Sequence, residues 1–359
     1  MKHCFFTLFL LVFVYETSNS QTTDSISVDS LLINSELNFT DSISNLNEKN
    51  KLLSSSRNAY NKGLEFVLNN DFEQAINSFT NAITIDSAFS SAYFERANCY
   101  EGPNDELAIS DYSTAFSLDS SNLSPLFKIA SIQSRTDRAI AKNTYNQILS
   151  LDAEQWKAYY EIGVLLYLDG EIENAIASFS SALDINKDAR TFNDRASCYR
   201  KLENYDEAIK DYFLAITLNS DLAFVYNNLA STYRKQKNTE KAMSYYTLAI
   251  SKDENYVLAY NNRGSLQIDL GNNTEALADI EKAISLDENY APAYNNRGVL
   301  HHINKKYDKA LSDFDKSIML DLKYAKAYLN RGITRQMTRD EDGACSDWLK
   351  AKELGIKLA

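Results

Sequence analysis

The sequence has few of the residues that break helices, cross-link chains or build metal sites. Its 359 residues include 10 glycines, 3 prolines, 4 cysteines and 3 histidines. With so little glycine and proline, most of the chain can form helices. The sparse cysteines exclude a disulfide-rich fold, and no cysteine or histidine spacing is typical of a zinc site.

Basic residues are also fewer than acidic residues. There are 37 lysines and arginines against 49 aspartates and glutamates, which gives a net charge of −12. A polyanionic nucleic acid or an anionic membrane surface is therefore not expected as the main partner. The sequence contains no nucleotide-binding or hydrolase motif, and His301 and His302 have no ligand set around them. We expect a non-catalytic protein without a cofactor or a metal ion.

Long apolar runs are missing except near the start of the chain. Phe5–Tyr15 is almost entirely apolar, follows a short basic start and precedes small polar residues. This pattern predicts a secretory signal peptide over residues 1–20, cleaved after Ser20, and hence a secreted or periplasmic protein. An uncleaved membrane anchor is the alternative interpretation. No later run is long enough to span a bilayer.

The next segment differs in composition from both of its neighbours. Residues 21–55 are rich in serine, asparagine, aspartate and threonine. Such a composition is typical of a flexible polar arm. Within it, Val28–Ile33 could form a short helix.

From residue 56 onward the sequence repeats with a period of 34 residues. Ala259–Gly264 and Ala293–Gly298 are identical hexapeptides, and Ala327–Gly332 differs from them at one position. A fixed period of this length indicates stacked helical hairpins. We place nine copies, at residues 56–89, 90–122, 123–155, 156–188, 189–222, 223–256, 257–290, 291–324 and 325–358.

Each copy carries small residues at positions 8 and 20 and a large residue at position 24. The copy at 291–324 shows the pattern best, with Gly298, Ala310 and Phe314. It resembles the tetratricopeptide repeat. The resemblance implies an all-α, right-handed superhelical solenoid of about nine helix-turn-helix units. It also implies that the first helix of each unit lines a concave groove.

Positions 7 and 23 carry charges that occur together. Five copies have arginine at position 7 and aspartate at position 23, and the other four copies have neither. Because an arginine between helices is costly to desolvate without a carboxylate, we predict an ion pair inside each of the five repeats. The predicted structural pairs are Arg96 with Asp111, Arg195 with Asp211, Arg263 with Asp279, Arg297 with Asp313, and Arg331 with Asp347.

Positions 5 and 6 supply the candidate ligand-binding residues of the groove. The early copies have aromatic residues at position 5, namely Tyr60, Phe94, Phe127 and Tyr160. The later copies have asparagine at one or both positions, namely Asn193, Asn227, Asn228, Asn261, Asn262, Asn295, Asn296 and Asn330. This arrangement resembles the asparagine ladders of other repeat proteins that bind extended peptides. Asparagine offers a donor and an acceptor side by side, which suits a peptide backbone.

The sequence therefore predicts a protein-interaction scaffold or adaptor of the cell envelope that holds an extended protein segment in its groove. Two alternatives remain open. Sugars could stack on the groove aromatics, as in a carbohydrate-binding module, or the chain could be an accessory subunit that contacts an envelope assembly through its convex face. No copy has lysine at position 5, so the two-carboxylate clamp of chaperone-binding family members is not expected. The oligomeric state is not indicated.

Overall fold

The computed structural model describes residues 28–357, with side chains from residue 42. Within these residues there are eighteen α-helices and no strand, and the chain divides into two units between Cys99 and Tyr100. The first unit contains α1 (Val28–Leu68), α2 (Phe72–Ile85) and nearly all of α3 (Ser90–Tyr100). The second unit contains α4 (Asp105–Leu118), α5 (Ser124–Thr136), α6 (Arg138–Leu151), α7 (Trp156–Asp169), α8 (Ile172–Ile185), α9 (Ala189–Lys201), α10 (Tyr205–Leu218), α11 (Ala223–Lys235), α12 (Thr239–Lys252), α13 (Val257–Asp269), α14 (Asn273–Leu286), α15 (Ala291–Ile303), α16 (Tyr307–Leu320), α17 (Ala325–Met337) and α18 (Glu341–Glu353).

Each of the nine predicted copies contains two of these helices. The first copy begins inside α1, and the last copy contains α17 and α18. The all-α class and the paired helix-turn-helix units are therefore confirmed. None of the described helices is both long and apolar enough to cross a membrane.

The segment before the first repeat differs from the expected arm. Helix α1 begins at Val28 and continues without a break to Leu68, so residues 28–55 are helical. No glycine or proline lies between Val28 and Ser56 to end the helix. The side chains of residues 42–52 are exposed. The predicted signal peptide and residues 21–27 lie outside the described residues.

An aspartate or asparagine ends the second helix of eight repeats. The backbone N–H of this residue closes the last helical turn. In seven of the eight, the side-chain oxygen also accepts a hydrogen bond from the backbone N–H two residues later, which forms an Asx turn into the next repeat. The eight residues are Asp86, Asp119, Asp152, Asn186, Asn219, Asp253, Asp287 and Asp321.

In seven repeats the turn between the two helices has a left-handed residue at position 15. The N–H of the following residue then bonds to a carbonyl five residues back, as Lys306 does to His301 at 2.8 Å. Glycine occupies this position in only two of the seven cases. The seven residues are Asn70, Gly170, Glu203, Lys237, Gly271, Lys305 and Arg339. The third repeat is one residue shorter, and there Asp137 both ends α5 and caps α6.

The core of each hairpin depends on a close approach between a small and a large residue. In the eighth repeat, Phe314 is fully buried, and a Cβ atom added to Gly298 would lie 2.7 Å from its Cε1 atom. Gly163 faces Phe179 at the same distance. Ala310, at position 20, is also fully buried. The small residues therefore let two helices meet across a single aromatic ring.

We expect Gly298→Ala to destabilise the fold although alanine is the better helix former. The added methyl group overpacks against Phe314, at a cost of about 1–3 kcal/mol, and the gain in helix propensity returns at most about 1 kcal/mol. Urea unfolding followed by circular dichroism measures the net loss. Ser312→Ala, at an exposed position of α16, is the control and should be almost neutral. Equal stability of the two variants would contradict the packing argument.

Candidate functional site

The asparagines of positions 5 and 6 hydrogen-bond to one another from repeat to repeat. In each contact the amide nitrogen at position 6 donates to the amide oxygen at position 5 of the preceding repeat. The contacts are Asn228 to Asn193 at 3.0 Å, Asn262 to Asn227 at 3.0 Å, Asn296 to Asn261 at 2.8 Å and Asn330 to Asn295 at 2.8 Å. We call this set the asparagine ladder. It joins the first helices of the fifth to ninth repeats.

The two positions of the ladder differ in exposure. At position 5, Asn193, Asn227, Asn261 and Asn295 are only 3–5% exposed, and their amide oxygens are used within the ladder. The hypothesis that both positions are free to meet a partner is therefore wrong for position 5. A buried amide must be hydrogen-bonded inside the protein, and the neighbouring repeat supplies the bond. Position 6 is half-buried, and each amide there keeps one N–H outside the ladder.

The asparagine ladder begins at a carboxylate. Position 6 of the fifth repeat is Asp194, which accepts hydrogen bonds from the amide of Asn193 and the hydroxyl of Tyr160, both at 2.9 Å. Burial raises the pKa of Asp194, although these hydrogen bonds oppose the shift. The aromatic and asparagine halves of the inner face therefore meet at one hydrogen-bonded carboxylate.

Three of the four aromatic candidates pack on the second helix of their own repeat. The ring centroid of Tyr60 lies 5.6 Å from that of Phe79, and Tyr160 lies 5.7 Å from Phe179. Phe127 contacts Tyr145 at 6.1 Å. The fourth candidate, Phe94, is half-buried. Much of each contacting ring surface is thus already used within the fold.

Four of the five predicted ion pairs are present within their own repeats. Each arginine places two nitrogens on the two oxygens of its aspartate, a geometry that fixes both side chains. The shortest distances are 2.7 Å for Arg195 to Asp211, 2.7 Å for Arg263 to Asp279, 2.7 Å for Arg297 to Asp313 and 2.6 Å for Arg331 to Asp347. The fifth pair, Arg96 with Asp111, spans the two units and stays a prediction. Arg96 donates to Thr80 at 3.0 Å.

These pairs neutralise charge inside the hairpin. Hydrogen bonds to Asp313 raise the pKa of Arg297, and Asp279 has the same effect on the pKa of Arg263. The Arg297 guanidinium also lies 5.3 Å from the ring centroid of Tyr294, within the range of a cation–π contact. Arginines held in this way are not available to recruit a ligand.

The two cysteines of the repeat cores are inert. Cys99 and Cys198 are buried and unpaired, and burial raises the pKa of Cys198 to about 12. A thiol with so high a pKa stays protonated and is a poor nucleophile and metal ligand. Nowhere among the described residues do three or more histidine, cysteine, aspartate or glutamate side chains form a group that could hold a metal ion.

An open cavity of about 690 Å³ lies on the inner face of the sixth to ninth repeats. We call it the groove pocket. Asn262 and Asn296 of the ladder line it, together with Ser265, which lies on α13 like Asn262. Its other lining residues come from α11, α12, α13, α15, α17 and the adjoining turns, namely Ser231, Arg234, Lys235, Lys237, Tyr246, Asn261, Tyr290, Pro292, Tyr324 and Lys326.

The tyrosines and cations of this pocket were not predicted from the sequence. Tyr290 and Tyr324 precede the first helix of a repeat, at position 34, where the sixth repeat also ends in Tyr256. That recurrence is visible in the sequence, but an argument from helical periodicity does not cover residues between helices. Lys235 and Lys326 come from opposite ends of different helices, so only the stacking of repeats places them around one cavity.

Asp279→Asn tests the energetic value of an internal ion pair. The substitution leaves Arg263, whose side chain is only 19% exposed, without its counter-charge. We expect a loss of about 2–3 kcal/mol, between the values for exposed and fully buried pairs, measured by urea unfolding. Asp269→Asn removes an exposed partner of Arg234 that lies at the end of α13, the first helix of the next repeat, and should cost less than about 1 kcal/mol. Similar losses for both variants would contradict this assignment.

Asp194→Asn tests the carboxylate at the start of the ladder. Because burial raises the folded pKa of Asp194, wild-type stability falls as the pH rises from the unfolded value of about 3.9 through the folded value. Asparagine can accept from Asn193 with its one amide oxygen and donate an amide N–H to the hydroxyl oxygen of Tyr160, and it cannot ionise. The variant should therefore be more stable than wild type at pH 7, and this advantage should vanish below about pH 4.

Denaturant unfolding at several pH values measures this difference. Asp184→Asn, at an exposed position of α8, controls for the change in net charge. A pH-independent difference between Asp194→Asn and wild type would show that burial of the charge is not the cause.

Comparisons with known proteins agree with this architecture. Family models described as tetratricopeptide repeat match residues 56–89, 134–190, 189–222, 225–256, 257–290 and 291–324, which together are more than half of the chain. A comparison with curated proteins gave no significant match.

Two solved structures share the fold at low sequence identity. The APC/C hetero-tetramer Cut9–Hcn1 matches with a TM-score of 0.57 at 13% identity, over 83% of this chain and 73% of the other. A tetratricopeptide repeat protein from Parabacteroides merdae matches with a TM-score of 0.52 at 21% identity, over 78% and 99%. The family matches and the nine helix pairs together show that this chain belongs to the tetratricopeptide repeat family of protein-interaction scaffolds.

Proposed function

We propose that the protein is a non-catalytic adaptor that holds an extended segment of a partner protein in the groove of its later repeats. The observation that carries the proposal is the groove pocket. It is open to solvent, and four successive first helices, α11, α13, α15 and α17, contribute side chains to it. A surface built from equivalent positions of successive repeats offers similar contacts at regular intervals, which suits an extended chain.

The half-exposed amides of the ladder support a polypeptide as the ligand. Asn262 and Asn296 line the groove pocket and each keep one amide N–H outside the ladder. Such groups can donate to backbone carbonyls whatever the side chains of the ligand are. The aromatic candidates support a carbohydrate ligand less well, because Tyr60, Phe127 and Tyr160 pack on rings of their own repeats.

We also propose that the protein works in the cell envelope or outside the cell. The basis is the apolar Phe5–Tyr15 segment with its basic start and small polar end. Mass spectrometry of the protein purified from its native compartment would give the mature N-terminus, expected at Gln21. A chain that still starts at Met1 would contradict cleavage.

Ser265→Tyr is expected to block the groove. Ser265 is half-buried and lines the pocket together with Asn262 and Asn296, so a phenol ring there occupies the space of the ligand. Partners that co-purify with wild type, identified by mass spectrometry, should be lost from the Ser265→Tyr variant. Peptides spanning those partners, tested by fluorescence anisotropy, should bind wild type and not the variant.

The matched control is Ser244→Tyr, which adds the same ring at an exposed position of the second helix α12. It should retain all partners. Loss of the partners from Ser244→Tyr and not from Ser265→Tyr would point to the outer face and overturn the groove assignment.

A further inference from the structure

We propose that the segment held by the later repeats is acidic, and that its carboxylates are recognised by a row of unpaired cations along the groove. This inference rests on the proposed groove function and adds the chemistry of the ligand. The cations are Arg200 and Lys201 at the end of α9, Lys235 at the end of α11, Lys237 in the following turn, and Lys326 at the start of α17.

These five side chains line two neighbouring cavities. The groove pocket contains Lys235, Lys237 and Lys326. A second cavity of about 340 Å³ contains Arg200 and Lys201, and it shares Ser231 and Lys235 with the groove pocket. The five cations therefore come from the fifth, sixth and ninth repeats, and uncharged polar and aromatic residues of the seventh and eighth repeats lie between them in the wall of the groove pocket.

The five cations of the row lack the carboxylate partners that the arginines at position 7 have. Among the described residues, none of the five forms an ion pair, whereas Arg195, Arg263, Arg297 and Arg331 each hold an aspartate. Lys201 instead lies 4.8 Å from the ring centroid of Tyr167, which leaves its charge uncompensated.

Acidic residues are almost absent from the walls of the two cavities. Glu203 is the single carboxylate that lines either of them, and Arg234, the sixth cation of the walls, is paired with Asp269. The chain as a whole has twelve more acidic than basic residues. A positive groove in an acidic protein attracts a ligand of negative charge, which the rest of the protein's surface repels.

Uncharged hydrogen-bond donors in the groove pocket also suit an acidic ligand. Burial raises the pKa of Tyr290 to about 12, so its hydroxyl, which lines the groove pocket with that of Tyr324, stays protonated and can donate to a carboxylate. The N–H groups that Asn262 and Asn296 keep outside the ladder are donors as well. A nucleic acid would also be negative, but the net charge of −12 opposes a long polyanion, whereas a short acidic segment meets mainly the local field.

Fluorescence anisotropy with labelled peptides tests the inference on the full-length chain. Three twelve-residue peptides alternate serine with glutamate, glutamine or lysine. The glutamate peptide should bind about tenfold more tightly than the glutamine peptide at low salt, and this preference should shrink as the ionic strength rises. The lysine peptide should bind most weakly.

A pair of double variants locates the binding site. Lys235→Ser with Lys326→Ser removes two cations from the groove pocket, and Lys282→Ser with Lys309→Ser removes two exposed lysines from the second helices α14 and α16. All four side chains are exposed, so both variants should fold. The groove variant should bind the glutamate peptide about tenfold more weakly, and the control should change less than about twofold.

The possible failures have distinct meanings. Equal binding of the glutamate and glutamine peptides, both blocked by Ser265→Tyr, would overturn the acidic ligand and leave the groove function intact. If the peptides derived from co-purified partners also fail to bind wild type, both the acidic ligand and the proposed groove function are overturned. Equal weakening by the two double variants would overturn the cation row as the binding site. Tighter binding of a twelve-nucleotide single-stranded DNA than of the glutamate peptide would assign the row to nucleic acid instead.

Discussion

The whole array depends on the close approach of two helices at a residue without a bulky side chain. Gly298 lies so near the ring of Phe314 that no Cβ atom fits between them without movement. The same contact recurs at Gly163 and Phe179. Because the hairpins that contain this contact close in the same way, their repeats present side chains at equivalent places. Stacking then brings each position next to its counterpart in the neighbouring repeat.

This regular stacking explains how the buried polar side chains find hydrogen-bonding and ion-pair partners. The asparagine at position 5 meets the asparagine at position 6 of the next repeat, and the arginine at position 7 meets an aspartate on its own second helix. A buried amide or charge is costly unless it is paired, so these contacts stabilise the stack. The cations and tyrosines that line the groove pocket lie outside both networks.

The two polar networks differ in how far the sequence revealed them. Arg297 and Asp313 were paired correctly because both residues appear or disappear together from one repeat to another. The partner of Asn261 was not found, although the sequence contains a signal for it. Asparagine occupies position 5 in the fifth to eighth repeats and position 6 in the sixth to ninth, a shift of one repeat that matches the bond from Asn296 to Asn261. The helical continuation of α1 through the predicted arm was also missed, because polar composition was given more weight than the absence of helix breakers.

The sequence by itself determined the helical hairpins, their approximate number and four of their internal ion pairs, because the repeat period, the pairing of small with large residues and the joint occurrence of arginine and aspartate are each visible within a repeat. Only the tertiary structure decided which asparagines are consumed in the ladder and which cations remain unpaired. Lys235 and Lys326 are far apart in the chain and belong to different helices. They line one cavity because the stacking geometry of the two repeats between them, which no single repeat encodes, sets where their side chains meet.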